Sequence, residues 1–118
     1  MPKDTTNYRY FAIYKPFGML SSFTPEQAGQ ATLADIVPRF PGDVYPVGRL
    51  DKDSEGLLLL TNDPSVNSRL LNPAQHHRRM YWVQVEGVPD SQAIARLTEG
   101  LDIRIDKKLY LTLPARVQ

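Results

Sequence analysis

Three carboxylates crowd one short stretch of this chain. Asp51, Asp53 and Glu55 lie in VGRLDKDSEGLLLLTND, which runs from Val47 to Asp63. Carboxylates so spaced can hold a cation, shape a tight turn, or act on a substrate as nucleophile or base. The cation reading fails on spacing. A calcium loop of the EF-hand kind wants D-x-[DN]-x-[DN]-G and a bidentate glutamate at position twelve. Asp51, Asp53, Glu55 and Gly56 fit positions one, three, five and six, but position twelve is Asn62. The flanks, with Pro46 and Gly48 on one side and a leucine run on the other, do not read as helices. The turn reading suits Asp53, Ser54 and Gly56. It suits Asp51 less well, because Asp51 follows Gly48-Arg49-Leu50 at the edge of an apolar segment, where an ionised carboxylate wants a partner.

The basic residues offer a second kind of chemistry. Gln75-His76-His77-Arg78-Arg79 is a polar, basic run. Lys15, His76, His77, Arg78 and Arg79 are candidate phosphate contacts. Net charge does not advertise a polyanion partner, since 14 basic residues stand against 13 acidic ones, for +1. A polyanion would need the positive charge gathered on one face. The histidine pair lacks a neighbouring Cys, Asp or Glu, so no metal site is expected there. With no cysteine in the chain, disulfides and thiolate metal sites are excluded. A P-loop and a dinucleotide-binding glycine pattern are also lacking. No apolar run approaches the ~18 residues of a membrane span. The start, MPKDTTNYRY, lacks the apolar core of a signal peptide. A cytoplasmic location fits these features.

The elements that must position these groups follow from pattern and punctuation. Tyr8–Tyr14 reads as a strand, ended by Lys15-Pro16-Phe17-Gly18. Ser21–Gln30 is a polar loop, and Thr32 caps a short helix over Leu33–Val37. Val44–Leu50 is a strand whose Pro46 marks an edge or bulge. Leu57–Thr61 is an apolar run suited to a strand buried on both faces. Asp63-Pro64 starts a helix with Val66, Leu70 and Leu71 on one side, ended by Asn72-Pro73. Met80–Glu86 alternates as a strand should, which would send Tyr81 and Trp82 to opposite faces. Asp90 or Ser91 caps a helix to Glu99, closed by Gly100. Leu101–Ile105 and Leu109–Leu113 are strands joined by a charged turn at Asp106-Lys107-Lys108. The sum is an α+β domain, a mostly antiparallel sheet with short flanking helices. Residues 1–7 form a tail and 8–118 the domain.

Gly48-Arg49-Leu50-Asp51, continuing to Asp63, closely resembles the signature of the ribosomal RNA pseudouridine synthases. Within them it is most similar to the branch that modifies single uridines, and there to a large-subunit type without the small N-terminal RNA-binding module. Lys15-Pro16 with Gly18 resembles the family's opening strand and lysine-proline turn. Arg79-Met80-Tyr81-Trp82-Val83-Gln84-Val85-Glu86-Gly87 looks like its second motif. The likeness covers roughly residues 9 to 117. It implies an isomerase that needs no cofactor, with Asp51 as the catalytic carboxylate. Arg49 would fill the space left by a flipped base, and Tyr81 would stack on the extruded uracil. The implied partner is ribosomal RNA presenting a single-stranded or flipped-out uridine, with no membrane involved and a monomeric full-length protein. Asp53 and Glu55 stay turn residues.

The resemblance stops short of the family's third motif, a glycine- and arginine-rich stretch that brings a cation to the carboxylate. The chain therefore reads as the N-terminal part of a longer catalytic domain, truncated at its C-terminus. By itself it is expected to have little activity and an open sheet edge prone to self-association. A non-catalytic RNA-binding module of the same fold is the alternative.

Overall fold

The computed structural model describes residues 7–118. They divide into two compact units, one ending at Arg79 and the other Met80–Gln118. In the first unit, strands β1 (Tyr10–Lys15), β2 (Tyr45–Pro46) and β3 (Gly56–Thr61) form one antiparallel sheet in the order β1-β3-β2. Helix α1 (Pro64–Leu71) follows β3 directly. In the second unit, helix α2 (Ser91–Glu99) leads into the hairpin β4 (Asp102–Ile105) and β5 (Lys108–Leu111). Among the described residues no helix is long and apolar enough to cross a membrane.

Local chemistry explains most boundaries. Asp63 accepts from the Ser65 amide and Pro64 follows it, so α1 starts where an orphan donor finds a carboxylate. Asp90 does the same for α2 through the Ala93 amide, and Gly100, with φ +104°, closes that helix. Thr32 and Asp35 form a reciprocal capping box, but it opens a single 3-10 turn, Leu33–Asp35, not the longer helix expected. Pro46 sits on the sheet edge, where its missing N–H costs no ladder bond. The ladder is therefore only two residues long, with Val47 donating once more to the Leu59 carbonyl at 2.7 Å, and the strand expected over Val44–Leu50 is much shortened.

Two expectations need correcting. The leucine run of β3 is not buried on both faces: Leu58 and Leu60 are 3% and 0% exposed, while Leu57 is 70% exposed. The antiparallel register aligns Leu58 with Ile13 and Leu60 with Phe11, and these face the core with Met19, Leu33 and Val44. Phe40 closes that core edge-on against Phe11, centroids 5.3 Å apart. The second correction concerns Met80–Glu86, which forms no strand among the described residues. Alternating β-formers define a strand only when a neighbour supplies the ladder, and none does here. Trp82 is 96% exposed, not a core aromatic.

Candidate active site

Asp51–Ser54 is a turn, tied on both sides of Asp51 to the loop that follows β1. The Ser54 amide donates to the Asp51 carbonyl at 2.9 Å, closing the turn. Gly48 enters it with φ +76°, a conformation that glycine adopts freely. Ser21, itself buried, grips the residue before Asp51 twice. Its hydroxyl donates to the Leu50 carbonyl at 2.9 Å and accepts from the Leu50 amide at 3.1 Å. The residue after Asp51 is gripped as well: the Lys52 carbonyl accepts from the Gly18 amide at 2.8 Å and from Lys15 Nζ at 3.4 Å. Asp51 is thus bracketed by fixed backbone while its own side chain is exposed. Exposure answers the concern about an unpartnered buried carboxylate, because water solvates it.

Lys15 corrects a sequence expectation. It is 0% exposed and offers no surface to a phosphate. Its ammonium donates to the carbonyls of Met19 (2.7 Å), Pro16 (3.1 Å) and Lys52 (3.4 Å), one for each of its protons. Burial pushes the ammonium below its usual range, and the nearby carboxylates of Asp53, Glu55 and Asp51 pull it back up. So the acidic cluster has a structural cation under it, and Asp53 and Glu55 help keep that cation charged.

The other candidates divide between the units. Arg49 is exposed and makes no hydrogen bond or ion pair among the described residues, so it is not tied to Asp53 or Glu55. His76, His77, Arg78 and Arg79 lie in the first unit, all exposed. His76 takes the left-handed conformation that ends a short 3-10 turn. One guanidinium nitrogen of Arg79 donates to the Leu70 carbonyl at 2.9 Å, capping the C-terminal end of α1, where a cation also meets the negative end of the helix dipole. Tyr81 belongs to the second unit and is 56% exposed. No group of three or more His, Cys, Asp or Glu residues able to hold a metal occurs among the described residues. Sequence reading missed Ser21, which looked like one polar loop residue among many.

Comparison with known proteins places the chain beside RNA-modifying enzymes. The pattern of the family described as RNA pseudouridylate synthase covers residues 9–112. A ribosomal large subunit pseudouridine synthase E of Vibrio parahaemolyticus is 42% identical over 98% of this chain and 45% of its own length. A protein of the same name from Xanthomonas axonopodis pv. citri is 46% identical over 75% of the chain and 46% of its own. A ribosomal large subunit pseudouridine synthase B of Bacillus subtilis is 34% identical over 92% and 43%. A crystal structure of a pseudouridylate synthase superposes with a TM-score of 0.73 at 26% identity, over 93% of this chain and 46% of that one. The chain spans about half the length of the curated relatives it matches.

Proposed function

The chain belongs to the RNA pseudouridylate synthase family, and from that premise we propose that it carries the catalytic carboxylate of an enzyme converting a uridine of large-subunit ribosomal RNA to pseudouridine. The observation that carries this reading is the bracketing of Asp51. Backbone on both sides of it is tied down by Ser21, Gly18 and Lys15, while the carboxylate is left exposed to a substrate. A reacting group must be held in one geometry to gain from proximity.

The reaction breaks the bond from ribose C1′ to uracil N1, turns the base, and forms a bond from C1′ to C5. The C5 proton leaves and N1 gains one, so atoms balance and no redox partner enters. Asp51 acts either as nucleophile on C1′ or as base toward a neighbouring sugar proton. The uridine must leave its stack to reach it. Arg49, which has no partner among the described residues, occupies the space the base vacates, and its planar cation suits that place. Tyr81 stacks on the extruded uracil. His76, His77, Arg78 and Arg79 contact phosphates. The full-length protein works as a cytoplasmic monomer. Because relatives are about twice as long, the 118 residues alone turn over little or no RNA.

The test is tritium release from ribosomal RNA labelled at uridine C5, comparing the full-length protein with Asp51→Ala. Release by the wild type and none by the variant is expected. If the wild type binds RNA but releases nothing from any ribosomal substrate, the reading fails and a binding module takes its place.

A further inference from the structure

Beside Arg49 lies a cavity of about 420 Å³. Ser22, Phe23, Thr24, Tyr45, Gly48 and Arg49 are among the residues that line it, all within the first unit. None of Asp51, Asp53 and Glu55 lines it. We infer that this cavity seats an unpaired nucleotide adjoining the target uridine, its base against Tyr45 and its phosphate at the rim, where the Arg49 guanidinium can still donate an N–H to it while its plane fills the vacated stack.

Three features point to that ligand. Tyr45 is 62% exposed on the edge strand β2, and among the described residues no aromatic ring packs on it. Aromatic faces of this kind are what unpaired bases stack on. Among the described residues the Arg49 guanidinium and the Thr24 and Tyr45 hydroxyls make no hydrogen bonds, so a cation and two hydroxyls stand ready for phosphate and sugar. The volume falls within the range of small-ligand sites, roughly 300–1,000 Å³. Position agrees as well. Arg49 is two residues from Asp51, a reach of at most about 7 Å along the chain, so the cavity serves the nucleotide beside the one whose ribose meets Asp51. This inference rests on the RNA-modifying reading and adds a subsite to it, one that would discriminate the sequence next to the target.

The experiment has two arms. In the first, the full-length protein is titrated with uridine 5′-monophosphate, ribose 5-phosphate and inorganic phosphate. Amide resonances of Phe23, Thr24 and Arg49 are followed by NMR. The nucleotide is expected to shift them at concentrations where ribose 5-phosphate and phosphate do not. Tyr45→Leu, which keeps an apolar strand residue but removes the π face, should weaken the nucleotide about tenfold. Equal responses to all three probes, or an unchanged affinity in Tyr45→Leu, overturn the inference. In the second arm, tritium release from ribosomal RNA is measured for wild type and Tyr45→Leu, with a KM raised about tenfold and kcat held. Normal release with an unchanged KM sinks the subsite and leaves the isomerase standing. Absence of release by the wild type removes the isomerase, and the subsite with it as a neighbour of a target uridine.

Discussion

The Lys15 ammonium lies 3.4 Å from the carbonyl oxygen of Lys52, the residue that follows Asp51. A buried cation thus serves as a peg between the loop after β1 and the acidic turn. Its other protons go to Met19 and Pro16. A buried ammonium is tolerable only when its protons are all matched, and here they are. Lys15→Met should expose the balance. Relief from desolvation favours methionine, but the Met19 and Pro16 carbonyls lose their donors inside the protein. We expect the second effect to win by roughly 1–3 kcal/mol, read as a lower midpoint in urea. Tritium release should fall by up to about 100-fold, because the turn carrying Asp51 loses its peg. A variant with wild-type midpoint and turnover would show that Gly18 and Ser21 hold the turn without Lys15.

Ser21 grips Leu50 through both backbone groups, so Ser21→Ala takes the partner from a half-buried amide and carbonyl. The stability cost should be about 1–2 kcal/mol. The kinetic effect should fall on kcat, by about tenfold, with KM little changed, since Ser21 fixes the geometry of Asp51. Steady-state tritium release separates the two parameters, and a change confined to KM would contradict the positioning role.

How much of this was legible before any coordinates varies residue by residue. The helix starts at Asp63-Pro64 and Asp90 were readable because capping is local chemistry. The turn between β4 and β5 was readable from charge, although Asp106 and Lys107 both take positive φ without glycine. The burial of Lys15 was also within reach. Alternation along YFAIYK puts Lys15 on the same face as Phe11 and Ile13, so the strand period assigned it to the core while its charge suggested the surface. Four leucines in a row hid the alternation of β3, since an unbroken apolar run has no period to read. The grip of Ser21 on Leu50 joins residues 29 apart, and no local pattern encodes such a contact. Met80–Glu86 carried the right propensities but no partner strand, and propensity alone does not make a ladder.

Gly48 supplies the left-handed step into the turn, and an added Cβ would sit 3.0 Å from Leu71 Cδ2. The leucine tip can yield, so the backbone conformation dominates. Gly48→Ala should cost about 1–2 kcal/mol. Gly48→Asn should cost less than Gly48→Val, because asparagine tolerates this region and a β-branched residue does not. Thermal melts of the three variants give the ranking, and a flat series would mean the turn relaxes to negative φ.

Asp63 contributes to the fold's response to acid. The Tyr10 hydroxyl, 2.6 Å away, and Ser65 hold the Asp63 carboxyl below the usual carboxylate range, and the same bond raises the Tyr10 phenol. A depressed folded pKa means that the unfolded chain binds the proton more readily. The stabilisation is therefore complete above the unfolded carboxylate value, about 3.9. It is lost as pH falls through the lower folded value. For Tyr10 the sign reverses: its raised pKa contributes below about 10 and fades as pH climbs past the folded value. Tyr10→Phe removes the largest cause of the Asp63 shift and, with it, the titrating phenol. Its acid unfolding midpoint, followed by far-UV circular dichroism, should move to higher pH, and its alkaline limb should flatten. Asp63→Asn should flatten the acid limb instead, because no proton is left to bind there. Identical acid midpoints for wild type and Tyr10→Phe would mean that Ser65 and the start of α1 alone hold Asp63 ionised.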